Sequence, residues 1–174
     1  MSCKVVIMGA GGRMGGNLVR LARAEGSGLE LAGVVERAER LAAVQNLGCP
    51  ASGSLDEILP QAKGAVIIDF TAPEASLDMA RIAKKHGNAA VIGTTGLDKA
   101  QQDELRVLAA AIPLFWAPNM SVGVNVLLKV LPDLVRKLGP DYDLEMVEVH
   151  HNRKKDAPSG TAIKMAQCLA EARD

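Results

Sequence analysis

The stretch EVHHNRKKDAPSGTA, Glu148–Ala162, gathers His150, His151, Arg153, Lys154 and Lys155 ahead of a single turn. Histidine supplies a proton near neutral pH, and lysine does so once its pKa is lowered. The following Ser159-Gly160-Thr161 reads as a helix start, whose free N–H groups and hydroxyls suit an anion. Cations on one side and a helix N-terminus on the other describe a site for a dicarboxylate. Neighbouring residues of an extended strand face opposite ways, so His150 and His151 are not expected to share a metal ion. No cysteine or third histidine stands near them, and no metal site is expected. The plain structural alternative is a solvated basic strand followed by a capped helix. His86 belongs to that plain class, at a helix end where it complements the dipole.

A second chemical signature is VVIMGAGGRMG, Val5–Gly15. An apolar strand runs into glycines and then into a helix, which lets the backbone approach a pyrophosphate at a helix N-terminus. The spacing that fits is Gly9-x-x-Gly12-x-x-Gly15; the common G-x-G-x-x-G pattern fails at Met14. Glu36 follows at the expected end of the second strand, where an acid accepts a hydrogen bond from an adenosine ribose. Arg37, next to it, suits a 2′-phosphate, so both NADH and NADPH are expected to be tolerated. Asp69-Phe70-Thr71 and Gly93-Thr94-Thr95-Gly96 end two later strands, where ligands of open α/β sheets bind.

The elements that must position these groups alternate. Lys4–Met8, Leu29–Glu36, Ala65–Phe70, Ala89–Gly93 and Pro113–Ala117 read as apolar strands. Arg13–Ala24, Leu41–Leu47, a short segment under a Ser54/Glu57 capping box, a segment from Pro73 to Gly87, and Asp98–Ala111 read as helices. Continuous apolar strands between helices predict an α/β fold, a Rossmann-like doubly wound parallel sheet. After Ala117 the pattern changes. Ser121–Leu138 reads as a long helix that Pro132 should kink or split. Asp141–His151 reads as a strand with a bulge near Met146, and Ser159–Ala172 as a helix. We therefore expect a dinucleotide-binding domain over residues 1–120 and the first part of a smaller α+β domain over 121–174.

Composition bounds the function. The 174 residues are 48% hydrophobic, and 20 basic side chains balance 20 acidic ones. Neither nucleic acid nor an anionic membrane is drawn by such a chain. Only Phe70, Phe115, Trp116 and Tyr142 are aromatic, too few for a base-stacking binder. Cys3, Cys49 and Cys168 stand far apart and suit free thiols in a reducing cytoplasm. The N-terminus lacks the long apolar region of a signal peptide, and no run is long enough to span a membrane.

These blocks resemble the 4-hydroxy-tetrahydrodipicolinate (dihydrodipicolinate) reductase family of lysine biosynthesis. The matching stretches are GAGGRMG, VVER, IDFTAPEAS, GTTG, APNMSVGVN and EVHHNRKKDAPSGTA, in family order. The resemblance implies NAD(P)H-dependent reduction of a cyclic imine dicarboxylate with loss of water. It implies that Gly9, Gly12, Arg13 and Met14 line the dinucleotide phosphates, and that Glu36 and Arg37 hold the adenosine end. Phe70, Thr71, Gly93 and Thr95 would contact the nicotinamide half, with Ala117 and Met120 closing over it. His150 would be the general acid and Lys154 a proton donor, while His151, Gly160 and Thr161 would bind substrate carboxylates. Lys155 stands where many members are apolar. The family also implies a homotetramer built through the second domain, of which 121–174 is a truncated part. Two other readings explain less: another Rossmann amino-acid dehydrogenase, or a non-catalytic dinucleotide-binding fragment.

Overall fold

The computed structural model describes residues 2–152, 154 and 157–173. The chain forms two compact units, Met1–Pro118 and Asn119–Asp174.

The first unit is a six-stranded sheet with helices on both faces. Its strands are β1 (Cys3–Met8), β2 (Leu29–Val35), β3 (Ala51–Ser52), β4 (Val66–Asp69), β5 (Ala90–Ile92) and β6 (Leu114–Trp116). They are ordered β3-β2-β1-β4-β5-β6, and every pair is parallel. The strand order reverses between β1 and β4, the switch point at which such sheets bind ligands. The expected doubly wound α/β sheet is present.

Strand alternation explains why both faces are apolar. Val5 and Ile7 pack with Val19 and Ala22 of α1 (Arg13–Ala22) on one face. Val6, Ile67 and Ile92 pack on the other with residues of α2 (Leu55–Ile58), α3 (Pro73–His86) and α4 (Lys99–Ala109). Helix α3 begins at Pro73 and ends at Gly87, whose φ of 71° accepts the left-handed cap. Helix α4 carries a full capping box between Asp98 and Gln101.

Two expectations for this unit change, and one strand is added. The helix expected at Leu41–Leu47 is instead a 3-10 turn over Ala38–Ala43. The tighter turn brings Val44 into the core soon after β2 ends. Ser54 precedes α2 but makes no side-chain cap. Its expected partner Glu57 is taken by the Ser52 hydroxyl, which also accepts the Ser54 N–H at 3.0 Å. The edge strand β3 is an addition, too short for a periodicity signal.

The second unit holds α5 (Val122–Leu138) and α6 (Gly160–Arg173). Helix α5 starts at Ser121, whose hydroxyl accepts the Val124 N–H, and it runs through Pro132 without splitting. Proline removes one ladder bond, which a helix of 17 residues survives. Asp141–His151 is not a strand: its described residues join no ladder, and Val147 and Val149 are exposed. A strand exists only with a partner, and the expectation rested on alternation alone. Arg153 and Lys155, counted among the cations of the turn, lie outside the described residues.

Candidate active site

The glycine loop is shaped by close backbone approach. A Cβ on Gly15 would lie 2.1 Å from the Gly9 carbonyl oxygen, and one on Gly12 3.1 Å from it. Gly9, at φ 63°, donates to the Val35 carbonyl at 2.8 Å and accepts the Gly12 N–H at 2.9 Å. A Cβ there would also meet Thr71 Cγ2 at 2.8 Å, so the ends of β1 and β4 nearly touch. Helix α1 starts at this loop with no side-chain cap and no acidic residue in its first turn. Its positive end is therefore left for an anion.

Glu36 is buried and braces the loop. Its Oε2 accepts the Gly11 N–H at 2.8 Å and its Oε1 the Arg37 N–H at 2.9 Å. A carboxylate has about four acceptor sites, so each oxygen can still receive a ligand hydroxyl. A cleft of about 510 Å³ opens here, lined by Gly9, Gly12, Glu36, Arg37, Phe70 and Thr71. Arg40 lines it too, with its guanidinium donating to the Gly11 carbonyl. A glycine cradle, an open helix N-terminus, a buried acid and two arginines fit a dinucleotide phosphate with its ribose.

Below Phe70 lies a buried polar network. Asp69 is fully buried; its Oδ1 accepts Thr71 N–H at 3.1 Å and Thr71 hydroxyl at 2.6 Å. Its Oδ2 accepts the Ser76 hydroxyl, and Ser76 Oγ lies 2.8 Å from Thr94 Oγ1. Gly93 N–H donates to the Asp69 carbonyl at 2.8 Å. Phe70 lies against Gly93 so closely that a Cβ there would be 1.9 Å from the ring. The loops after β4 and β5 are thus one hydrogen-bonded piece.

In the second unit, Glu148 accepts the Ser159 N–H at 2.8 Å and the Ser159 hydroxyl at 2.6 Å. His150 Nδ1 lies 3.6 Å from the same carboxylate. Those Ser159 donors, the hydroxyl foremost, hold the Glu148 carboxyl below the usual carboxylate range, with His150 and Lys154 adding attraction. Ser159 Oγ accepts the Ala162 N–H at 3.1 Å, and Asn119 Nδ2 donates to Thr161 Oγ1 at 3.0 Å.

Residues 3–120 match the family description "Dihydrodipicolinate reductase, N-terminus", and residues 123–174 match "Dihydrodipicolinate reductase, C-terminus". The chain belongs to the dihydrodipicolinate reductase family. It is 63% identical, over its whole length, to the 4-hydroxy-tetrahydrodipicolinate reductase of Nitratidesulfovibrio vulgaris (strain DP4) and covers 67% of that protein. Over 99% of its length it is 59% identical to the reductase of the same name from Oleidesulfovibrio alaskensis, covering 66% of it. Among solved structures it is similar to the dipicolinate-bound dihydrodipicolinate reductase of Paenisporosarcina sp. TG-14. That match has a TM-score of 0.81 and 29% identity, covering 99% of this chain and 67% of the other. The myo-inositol 2-dehydrogenase of Lactobacillus plantarum shares the fold, at a TM-score of 0.61 and 15% identity over 76% of this chain and 42% of the other. The chain spans about two thirds of the length of the curated relatives it matches.

Dihydrodipicolinate reductases are oxidoreductases of lysine and diaminopimelate biosynthesis that use a nicotinamide dinucleotide and act on a small molecule. No helix among the described residues is long and apolar enough to cross a membrane.

Against this family frame, Gly9, Gly12, Glu36, Arg37, Phe70 and Thr71 share one cleft. Arg13 and Met14 stand exposed on the first turn of α1, outside its lining. Gly93 sits under Phe70, and Thr95 is exposed on the following loop. Ala117 is tied to Ile92 at 3.0 Å in the first unit, whereas Met120 is an exposed residue of the second. His150, His151, Lys154, Gly160 and Thr161 all belong to the second unit. Among the described residues no group of three His, Cys, Asp or Glu could hold a metal ion.

Four residues of the site carry no motif signal. Arg40 follows Arg37 by one 3-10 turn, which hydrophobic periodicity does not mark. Asn119 and Glu148 lie within family-matching stretches, and their roles come only from contacts. Asp69 ends a strand in sequence, and its full burial is visible only in three dimensions.

Proposed function

We propose that this protein reduces 4-hydroxy-tetrahydrodipicolinate to tetrahydrodipicolinate, with its two units dividing the work. The first unit binds NADH or NADPH. Gly9, Gly12, Arg13 and Met14 surround the phosphates, Glu36 receives the ribose, and Arg37 with Arg40 receives a 2′-phosphate where one is present. Phe70, Thr71, Gly93, Thr95, Ala117 and Met120 contact the nicotinamide half. Bound there, the dinucleotide supplies a hydride.

The second unit binds the substrate and delivers the proton. His150 is the general acid and Lys154 a second proton donor, while His151, Gly160 and Thr161 hold the carboxylates. The observation that carries this reading is the N-terminus of α6. Ser159 N–H, Ala162 N–H and Ile163 N–H have acceptors at 2.8, 3.1 and 2.9 Å, whereas the Gly160 and Thr161 N–H groups have none among the described residues and suit an anion. The relative from Paenisporosarcina sp. TG-14 was solved with the dicarboxylate dipicolinate.

We further propose a homotetramer and a cytoplasmic location. The exposed Val126, Val130 and Leu134 of α5 support the first, and the free Cys3, Cys49 and Cys168 support the second.

The test is turnover. The upstream synthase with pyruvate and aspartate semialdehyde generates the unstable substrate in place, and NADH and NADPH loss is followed. Synthase-dependent consumption of both cofactors, abolished in large part by Lys154→Ala, is expected. Full activity of Lys154→Ala would remove that residue from catalysis. Cofactor binding without any consumption would favour the non-catalytic alternative.

A further inference from the structure

A carboxylate beside a site for a dianion is electrostatically unfavourable, so Glu148 needs a reason to be there. It is not aimed at the ligand site as a free charge. Its Oε1 is occupied by the Ser159 N–H at 2.8 Å and its Oε2 by the Ser159 hydroxyl at 2.6 Å. Ser159 is buried, and its partner is eleven residues back in the chain. The pair therefore closes the segment that carries His150, His151 and Lys154, joining its two ends through one side chain.

We propose that Glu148 is a positioning residue that holds the proton donor His150 and the anion-binding turn Ser159–Thr161 in fixed relation. This rests on the roles given above to His150, Gly160 and Thr161. Two consequences of the geometry support it. Occupation of the Ser159 N–H by Glu148, and of the Ala162 N–H by the Ser159 hydroxyl oxygen, leaves Gly160 and Thr161 as the first-turn donors with no acceptor among the described residues, and so the ones for a carboxylate. With Nδ1 of His150 on the Glu148 side, 3.6 Å from the carboxylate, Nε2 is the ring nitrogen that can present a proton elsewhere. Neither function needs Glu148 to touch substrate.

The test uses the intact protein, the coupled turnover assay and dipicolinate as a dicarboxylate probe. Glu148→Gln keeps size and can still receive the Ser159 N–H, but it cannot attract a charged imidazole. We expect it to lower kcat about tenfold and leave dipicolinate affinity within about twofold. In a His150→Gln background it should add no further loss, because it acts through that ring. Glu148→Ala releases the turn and should weaken dipicolinate about tenfold. Should that variant not fold, Ser159→Ala, which removes the hydroxyl partner, makes the same comparison. Wild-type kcat in Glu148→Gln, losses that multiply with those of His150→Gln, or undiminished dipicolinate affinity on releasing the turn would each overturn the proposal. Full kcat in His150→Gln alone would instead strike at the general-acid reading, and the dipicolinate comparison would then decide whether Glu148 still organises the turn.

Discussion

Asn119 Nδ2 lies 3.0 Å from Thr161 Oγ1, and the other end of the same amide is fixed by the Ser121 N–H at 2.9 Å. A backbone N–H can only donate, so the amide oxygen faces Ser121 and the NH2 faces Thr161. Thr161 must then accept from Asn119, so its own hydroxyl hydrogen is left to donate to another acceptor. The hydrogen-bond sense of a proposed carboxylate contact is thus set by a residue in a different sequence block.

Asn119→Asp should reverse that sense. The new carboxylate still accepts from Ser121, but it also demands the Thr161 hydroxyl proton. Dipicolinate affinity and substrate KM should worsen about tenfold, with a smaller change in kcat. An unchanged KM would mean that the Thr161 hydroxyl does not bind substrate.

Gly15→Ala is expected to cost dinucleotide binding more than any other single methyl in the loop. Its Cβ would lie 2.1 Å from the Gly9 carbonyl oxygen and 2.8 Å from Ala10 Cα, both backbone atoms that cannot rotate away. Overpacking of this kind costs about 1–3 kcal/mol, and here it displaces the phosphate-binding turn itself. Fluorescence titration with NADH should show a loss of about a hundredfold. Gly16→Ala is the control, since its nearest contact is 3.6 Å away; equal affinity in both variants would discount the close approach.

The cofactor choice should split along Glu36 and the two arginines. Removing Arg37 and Arg40 together should weaken NADPH about tenfold or more and spare NADH. Glu36→Ala should weaken NADH more than NADPH. It also strands the Gly11 and Arg37 N–H donors, each at a cost of about 1–3 kcal/mol where water cannot replace the oxygen. Thermal melting and two-cofactor titration separate these effects. A variant that loses stability but keeps its NADH affinity would make Glu36 a brace only.

The Glu148 tie should be sensitive to acid in one direction. Its carboxyl is held low, chiefly by the Ser159 hydroxyl and then the Ser159 N–H. A group whose folded-state pKa is depressed stabilises the fold above its unfolded pKa, and that contribution is lost as pH falls through the folded value. Hydrogen-exchange protection at Ser159 and Ala162 should therefore hold at neutral pH and decline below the ordinary carboxylate range. Protection that declines on raising the pH through neutrality would contradict the assigned direction.

Elements with local signals can be read directly from residue order. Pro73 and Gly87 bracket α3 because one fixes a helical φ and the other accepts a left-handed one. The Gly9, Gly12 and Gly15 spacing and the five apolar strands placed the dinucleotide loop on a parallel sheet. Features that need a distant partner become visible only in the folded chain. Residues Asp141–His151 alternate like a strand, yet alternation supplies no ladder, and the segment joins no sheet among the described residues. Arg40 reaches the cleft only because the chain takes a 3-10 turn after β2. Asp69, Asn119 and Glu148 have meaning only through Ser76, Thr161 and Ser159, each brought close by folding. Residue type announces which atoms can donate or accept; three-dimensional packing decides which of them are already spent and which remain for a ligand.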